Sequence, residues 1–182
     1  MKYPDFVAKT EQVNTPPGSY DTVKTWIREG FITKDSNVLE IGCNTGFISY
    51  QIHSYTKARV TGIDISEEAI KRARNYCKDY KNIKFLIASA EKIPFKDETF
   101  THVILGGHLP WVEQEKRKQH VQEAVRCLKT SGFLLTSLYY FAKKPPQEFV
   151  SSLNSTFNMK LNPDDCYKKW SDIFNLEELT VE

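Results

Sequence analysis

Val38-Leu39-Glu40-Ile41-Gly42-Cys43-Asn44-Thr45-Gly46-Phe47 decides the fold. Its apolar start has the character of a buried strand. Gly42 and Gly46 mark a tight turn, because glycine takes positive φ without strain and lets a ligand approach the backbone. A helix after such a turn presents free N–H groups at its first turn. A second apolar run, Val60-Thr61-Gly62-Ile63-Asp64, ends in a carboxylate. An acidic residue about 20 positions beyond a glycine turn is placed to hold a nucleotide ribose. These residues imply a nucleoside-bearing cofactor.

Working outward, apolar and helical stretches alternate. Ser19 or Asp21 is expected to cap a helix through Val23, Trp26 and Ile27 that ends near Gly30. Strands are expected at 37–41, 59–63, 83–88, 101–105 and 132–141. Helices are expected at 45–54, 66–79 and 114–128, with Ser66 capping the second of these ahead of Glu67, Glu68 and Ala69. Beyond Pro145-Pro146 the pattern gives helices over 147–153 and 164–174 and a last short strand over 176–181. Alternation of this kind implies right-handed crossovers, a mostly parallel sheet, and a ligand at the strands' carboxyl ends.

Composition narrows the function classes. The chain has 182 residues, room for one domain with a sizeable core. The expected division is an N-terminal arm and helix over 1–34, a cofactor-binding core over 35–141 and a C-terminal segment over 142–182. A net charge of +2 gives no reason to expect a nucleic-acid partner. The basic run Lys71-Arg72-Ala73-Arg74 has Glu67, Glu68 and Asp79 around it, as a solvated helix face does. No apolar run is long enough to span a membrane. Four scattered cysteines, with no C-x-x-C pair, fit a reducing cytoplasm better than a disulfide framework or a metal site.

Four segments resemble, in order and spacing, the class I S-adenosylmethionine-dependent methyltransferases. Val38–Phe47 resembles that family's E-x-G-x-G-x-G motif, with Asn44 in place of the middle glycine. Asn tolerates left-handed backbone better than most residues, so the turn is expected to survive. Gly62-Ile63-Asp64-Ile65-Ser66 carries the family's acidic residue. Ala88-Ser89-Ala90-Glu91-Lys92-Ile93-Pro94-Phe95 resembles its G-D-A-E-x-L-P-F stretch, and Leu128-Lys129-Thr130-Ser131-Gly132-Phe133-Leu134 its L-K-P-G-G-x-L turn.

The resemblance implies a Rossmann-like three-layer α/β/α sandwich whose C-terminal strands are incomplete here. It implies S-adenosyl-L-methionine as cofactor, a small-molecule acceptor, and no metal. Glu40 and Gly42 would meet the methionine end, Cys43, Asn44 and Gly46 would bind the cofactor along the same turn, and Asp64 would hold the ribose. Ile65, Ser89, Ala90 and Glu91 would line the adenine. Gly106 opens the substrate-facing segment, where His108 is the candidate general base and Trp111 can either stack on substrate or simply pack. Tyr20 follows the Pro16-Pro17-Gly18 loop and can fold over the cofactor. Ser89 and Thr101 stand where the family has Asp. Without the family's seventh strand, the edge of the fifth would be left exposed or covered by a partner or a second copy. Two rivals remain: a non-catalytic methyltransferase-like subunit, and a nicotinamide-dependent oxidoreductase, for which Gly42 to Gly46 lacks the G-x-G-x-x-G pattern and the Y-x-x-x-K pair Tyr139 and Lys143 falls by chance at a strand end.

Overall fold

The structure is a computed structural model and describes residues 9–10, 15–157, 161–164, 167–175 and 179. Five strands form one parallel sheet in the order β3-β2-β1-β4-β5: β1 (Asn37–Ile41), β2 (Arg59–Asp64), β3 (Ile83–Ile87), β4 (Phe100–Leu105) and β5 (Leu128–Thr136). Among the described residues they are accompanied by the helices α1 (Ser19–Glu29), α2 (Phe47–Thr56), α3 (Glu67–Tyr76), α4 (Gln114–Cys127), α5 (Gln147–Phe157) and α6 (Tyr167–Phe174). The architecture is the expected Rossmann-like α/β fold.

Central β1 is buried on both faces, as a parallel sheet between helical layers requires. Leu39, Ile41, Ile63, Val103 and Leu105 join Val121 and Ala124 of α4 and Trp170 of α6 in one core cluster. Val38, Val60 and Ile104 pack with Val23 and Trp26 of α1 and Phe47, Ile48 and Ile52 of α2 in another. Thr101, at the family's Asp position, ties β4 to β1: its Oγ1 accepts from the Asn37 N–H at 2.9 Å and donates to the Asn37 carbonyl at 3.1 Å.

Several boundaries differ from expectation. Neither Ser19 nor Asp21 caps α1. Gly18, in left-handed geometry at φ 78°, precedes the helix, and no side chain caps it. The Thr22 hydroxyl instead donates to the Pro17 carbonyl. Ser66 does cap α3, its Oγ accepting from the Ala69 N–H at 3.2 Å.

The fifth strand begins at Leu128 rather than Gly132, directly after α4. Its ladder with β4 is interrupted: Phe100 faces Leu128, and pairing resumes at His102 with Phe133. Ser131, at φ 62°, lies in the intervening bulge. The strand stops at Thr136, not Phe141, because Thr136 faces Leu105, the last residue of β4. Among the described residues β5 has a neighbour on one side only. The strand expected over 176–181 lies outside the described residues, apart from position 179.

Candidate cofactor and transfer site

All strands are parallel, so the carboxyl ends of β1, β2, β3 and β4 share one edge of the sheet. That edge carries Glu40 to Gly46, Asp64 and Ile65, Ser89 to Glu91, and Gly106 to His108. Chain order therefore brings the sequence-predicted site segments that follow the strands to one edge, while Tyr20 lies on α1.

The turn after β1 is fastened to β2 by its backbone. The Gly42 and Cys43 N–H groups both donate to the Ile63 carbonyl, at 2.8 and 3.0 Å. Gly42 has φ +74°, and a Cβ there would stand 2.7 Å from the His108 Cβ. Asn44 takes the left-handed conformation at φ 43°, and its Oδ1 accepts from the Thr45 N–H at 2.8 Å. Gly46 has φ +87°, and a Cβ there would meet the Phe85 ring at 2.8 Å. Its smallness therefore serves the packing of α2 against β3. The Cys43 thiol is buried among Ile70, Ala73, Cys77, Ile83 and Phe85, so only the backbone of Cys43 borders the turn.

Two acidic side chains flank this turn. Asp64 is 7% exposed. Its Oδ2 accepts from the Asn44 N–H and its Oδ1 from the Ser66 N–H, each at 2.9 Å. Glu40 is 2% exposed, and its Oε2 accepts from the Ser49 hydroxyl at 2.5 Å. Burial raises its pKa to about 8, against the lowering effect of Ser49; nearby Asp64 raises it further. Glu40 thus holds a proton at neutral pH. Ser49 carries no sequence signal for this role; only the packing of α2 on β1 brings it to Glu40.

The outer parts of the site are more open. Ile65 and Ile87 are exposed. The Ser89 Oγ accepts from the Glu91 N–H at 3.1 Å. Ala90 is buried in the main core. Glu91 pairs with Lys116 of α4 at 2.8 Å, and this partner holds its carboxyl below the usual range. Tyr20 meets Phe47 edge-on at 5.1 Å. Pro17 lies 3.6 Å from where a Gly107 Cβ would be, so the arm passes over the end of β4.

His108 packs over Gly42 and reaches α4. Its Nε2 lies 3.3 Å from His120 Nδ1, and the rings stack at 5.5 Å. Burial, reinforced by His120, lowers the His108 pKa to about 3, so the ring is neutral in the physiological range. His120 was invisible as a site residue, because it lies in the charged-looking run Glu115 to His120 and faces inward only once α4 packs. Arg117, on the same helix, is buried. It donates to the carbonyls of Val112 and Pro110 at 2.9 and 3.2 Å and lies 4.5 Å over the Trp170 ring. Arg117 fastens the segment after β4 to α4 and α6.

Residues 38–132 match the family model described as a methyltransferase domain. The chain belongs to the class I S-adenosylmethionine-dependent methyltransferases. The crystal structure of the MccD protein is 33% identical, with a TM-score of 0.81 over 88% of this chain and 71% of that one. A demethylmenaquinone methyltransferase of Tropheryma whipplei is 36% identical over 120 residues, covering 66% of this chain and 47% of the relative. An uncharacterised methyltransferase of Bacillus subtilis is 26% identical over 151 residues, covering 81% of this chain and 58% of its own length. The chain thus spans about half of these two curated relatives. Among the described residues no helix is long and apolar enough to cross a membrane, and no group of three or more His, Cys, Asp or Glu is placed to hold a metal.

Proposed function

We propose that this chain transfers the methyl group of S-adenosyl-L-methionine to a small-molecule acceptor. One observation carries the reading. A buried carboxyl and a buried carboxylate, Glu40 and Asp64, flank a glycine turn at the carboxyl edge of a parallel sheet. The donor set fits the cofactor. Asp64 presents carboxylate oxygens of the kind that accept from ribose hydroxyls, and the neutral Glu40 carboxyl would border the methionine end by hydrogen bonding rather than by charge. Exposed Ile65 and Ile87, with the segment from Ser89 to Glu91, offer an apolar and polar border for the adenine.

When bound, the cofactor supplies a methyl group on a positively charged sulfur, already primed to leave. The protein's task is then chiefly orientation, which can contribute about 7–11 kcal/mol to lowering a barrier. Gly42 keeps the turn low under His108. Tyr20, Pro17 and Gly107 border the approach for an acceptor. His108 is the candidate base, working as a neutral imidazole because burial disfavours its charged form. It is required only for an acceptor that arrives protonated.

This reading keeps residues 35–141 as the cofactor-binding core, with the arm over 1–34 and the segment 142–182 as flanks of one domain. It also keeps the outer edge of β5 for a partner or a second copy. A cytoplasmic setting belongs to it, supported by the three free, buried thiols of Cys43, Cys77 and Cys127.

Calorimetric titration with S-adenosylhomocysteine tests the cofactor, and methyl-label transfer tests the acceptor. Demethylmenaquinone, named by the Tropheryma whipplei relative, is the first acceptor to try. Binding of NADH without S-adenosylhomocysteine would overturn the proposal. Binding without transfer to any small molecule would leave a non-catalytic subunit.

A further inference from the structure

The two histidines at the end of β4 and on α4 form a unit that neither could form alone. His108 Nε2 and His120 Nδ1 share one hydrogen bond. The outer atoms, His108 Nδ1 and His120 Nε2, are buried without a hydrogen-bond partner among the described residues. His108 packs on the candidate cofactor turn, its Nδ1 lying 3.4 Å from where a Gly42 Cβ would stand. His120 is itself 7% exposed. A buried polar atom without a partner is costly, and such atoms mark places where a ligand or a proton is handled.

Only two neutral arrangements satisfy the shared bond. In one, His108 Nε2–H donates to His120 Nδ1, and both rings carry their proton on Nε2. In the other, both carry it on Nδ1. A neutral histidine side chain favours Nε2 when nothing else decides, so the first arrangement is the ground state. It leaves the His108 Nδ1 beside the Gly42 turn unprotonated, with its lone pair free to accept a proton.

Building on the methyl-transfer reading, we propose that His120 is a positioning residue: it holds His108 in the Nε2–H form and takes that proton when His108 receives one at Nδ1. The balance for an acceptor X–H is as follows. The X–H bond breaks and its proton goes to His108 Nδ1. The electron pair left on X forms the new bond to the methyl carbon, while the pair of the old carbon–sulfur bond stays on sulfur. The His108 Nε2 proton passes to His120 Nδ1, so the positive charge rests on His120.

Burial opposes a charge on His120 as it does on His108; of the charged groups facing His120, Glu91 favours its cationic form, and Lys116 opposes it and is itself paired with Glu91. His108 faces His120 alone. Burial penalises a charged His108 but leaves an exchange of one neutral tautomer for the other without that cost.

Imidazole nitrogen NMR of the full chain with S-adenosylhomocysteine present tests this without an acceptor. At neutral pH His108 should show an unprotonated Nδ1 and a protonated Nε2. On acidification, His108 Nδ1 should become protonated as the His120 ring becomes charged, with the His108 ring still neutral. His120→Asn keeps an acceptor oxygen for His108 Nε2–H, so it should preserve the neutral-pH tautomer and abolish the acid switch. His120→Phe should leave His108 a mixture of tautomers.

A His108 Nδ1 protonated at neutral pH in the parent chain would overturn the proposal, as would a switch that survives in His120→Asn. The folded state of each variant is read from its amide spectrum. Calorimetry with S-adenosylhomocysteine reports separately on the cofactor reading: failure there alone removes the functional setting, and failure of the tautomer assignment alone removes the positioning role.

Discussion

At the scale of single residues, the two acidic groups should behave differently. Asp64 is held as a carboxylate acceptor by two backbone N–H donors. Asp64→Ala is expected to weaken S-adenosylhomocysteine binding by roughly 1.5–3 kcal/mol, measured by calorimetry, since charge-assisted hydrogen bonds are lost. Unchanged affinity would remove Asp64 from the ribose.

Glu40 carries a stability consequence. Unfolded, it loses its proton near 4.5; folded, it keeps it up to about 8. Between these values the folded state binds the extra proton, so this group makes stability fall as pH rises through the window. The slope from one proton is at most about 1.4 kcal/mol per pH unit. Glu40→Gln should abolish that part of the slope, and urea unfolding at either end of the window measures it. An unaltered slope would mean that the carboxyl is ionised in the fold.

The same residues show what was legible beforehand. Asn44 could be placed in left-handed backbone because its side chain tolerates that region and the family motif requires it there. Ser49 and His120 could not be placed, because their contacts with Glu40 and His108 arise from helices crossing strands, which no local pattern records.

At the scale of elements, caps and joints decide. The Ser66 hydroxyl caps α3, so Ser66→Ala should cost about 1 kcal/mol in chemical denaturation. The serine ahead of two glutamates and an alanine made that start readable. The start of α1 was not, because Gly18 shapes the turn through its own backbone and Thr22 turns back to Pro17. Likewise, Ser131-Gly132 read as the beginning of β5, whereas it is the bulge between two stretches of pairing. Sequence marks where a strand bends more readily than where its neighbour first meets it.

At the same scale, α6 is tied to α4 through Trp170 and Arg117. Trp170 is 3% exposed, and Trp170→Ala should destabilise the fold by about 3–5 kcal/mol, read as a lowered denaturation midpoint. A loss within a few tenths of a kcal/mol would detach α6 from the core.

At the scale of the whole molecule, the open flank of β5 matters first. An edge strand offers unpaired backbone groups to another chain. Sedimentation velocity over a range of concentrations should show self-association, and a monomer throughout would leave that edge for a different partner. The parallel sense of the sheet was readable because strands alternating with helices require crossover connections. The strand order was not, because it depends on which strands meet across the sheet.

The order β3-β2-β1-β4-β5 also governs how the molecule comes into being. Val38 of β1 pairs on one side with Val60, close in the chain, and on the other with His102, far beyond it. During synthesis the half formed by β1, β2 and β3 can assemble while one flank of the central strand waits for β4. Such distant pairings close slowly, and partly built sheets expose adhesive edges. Refolding after dilution from denaturant is therefore expected to pass through a populated half-sheet, with the second half joining in a slower kinetic phase.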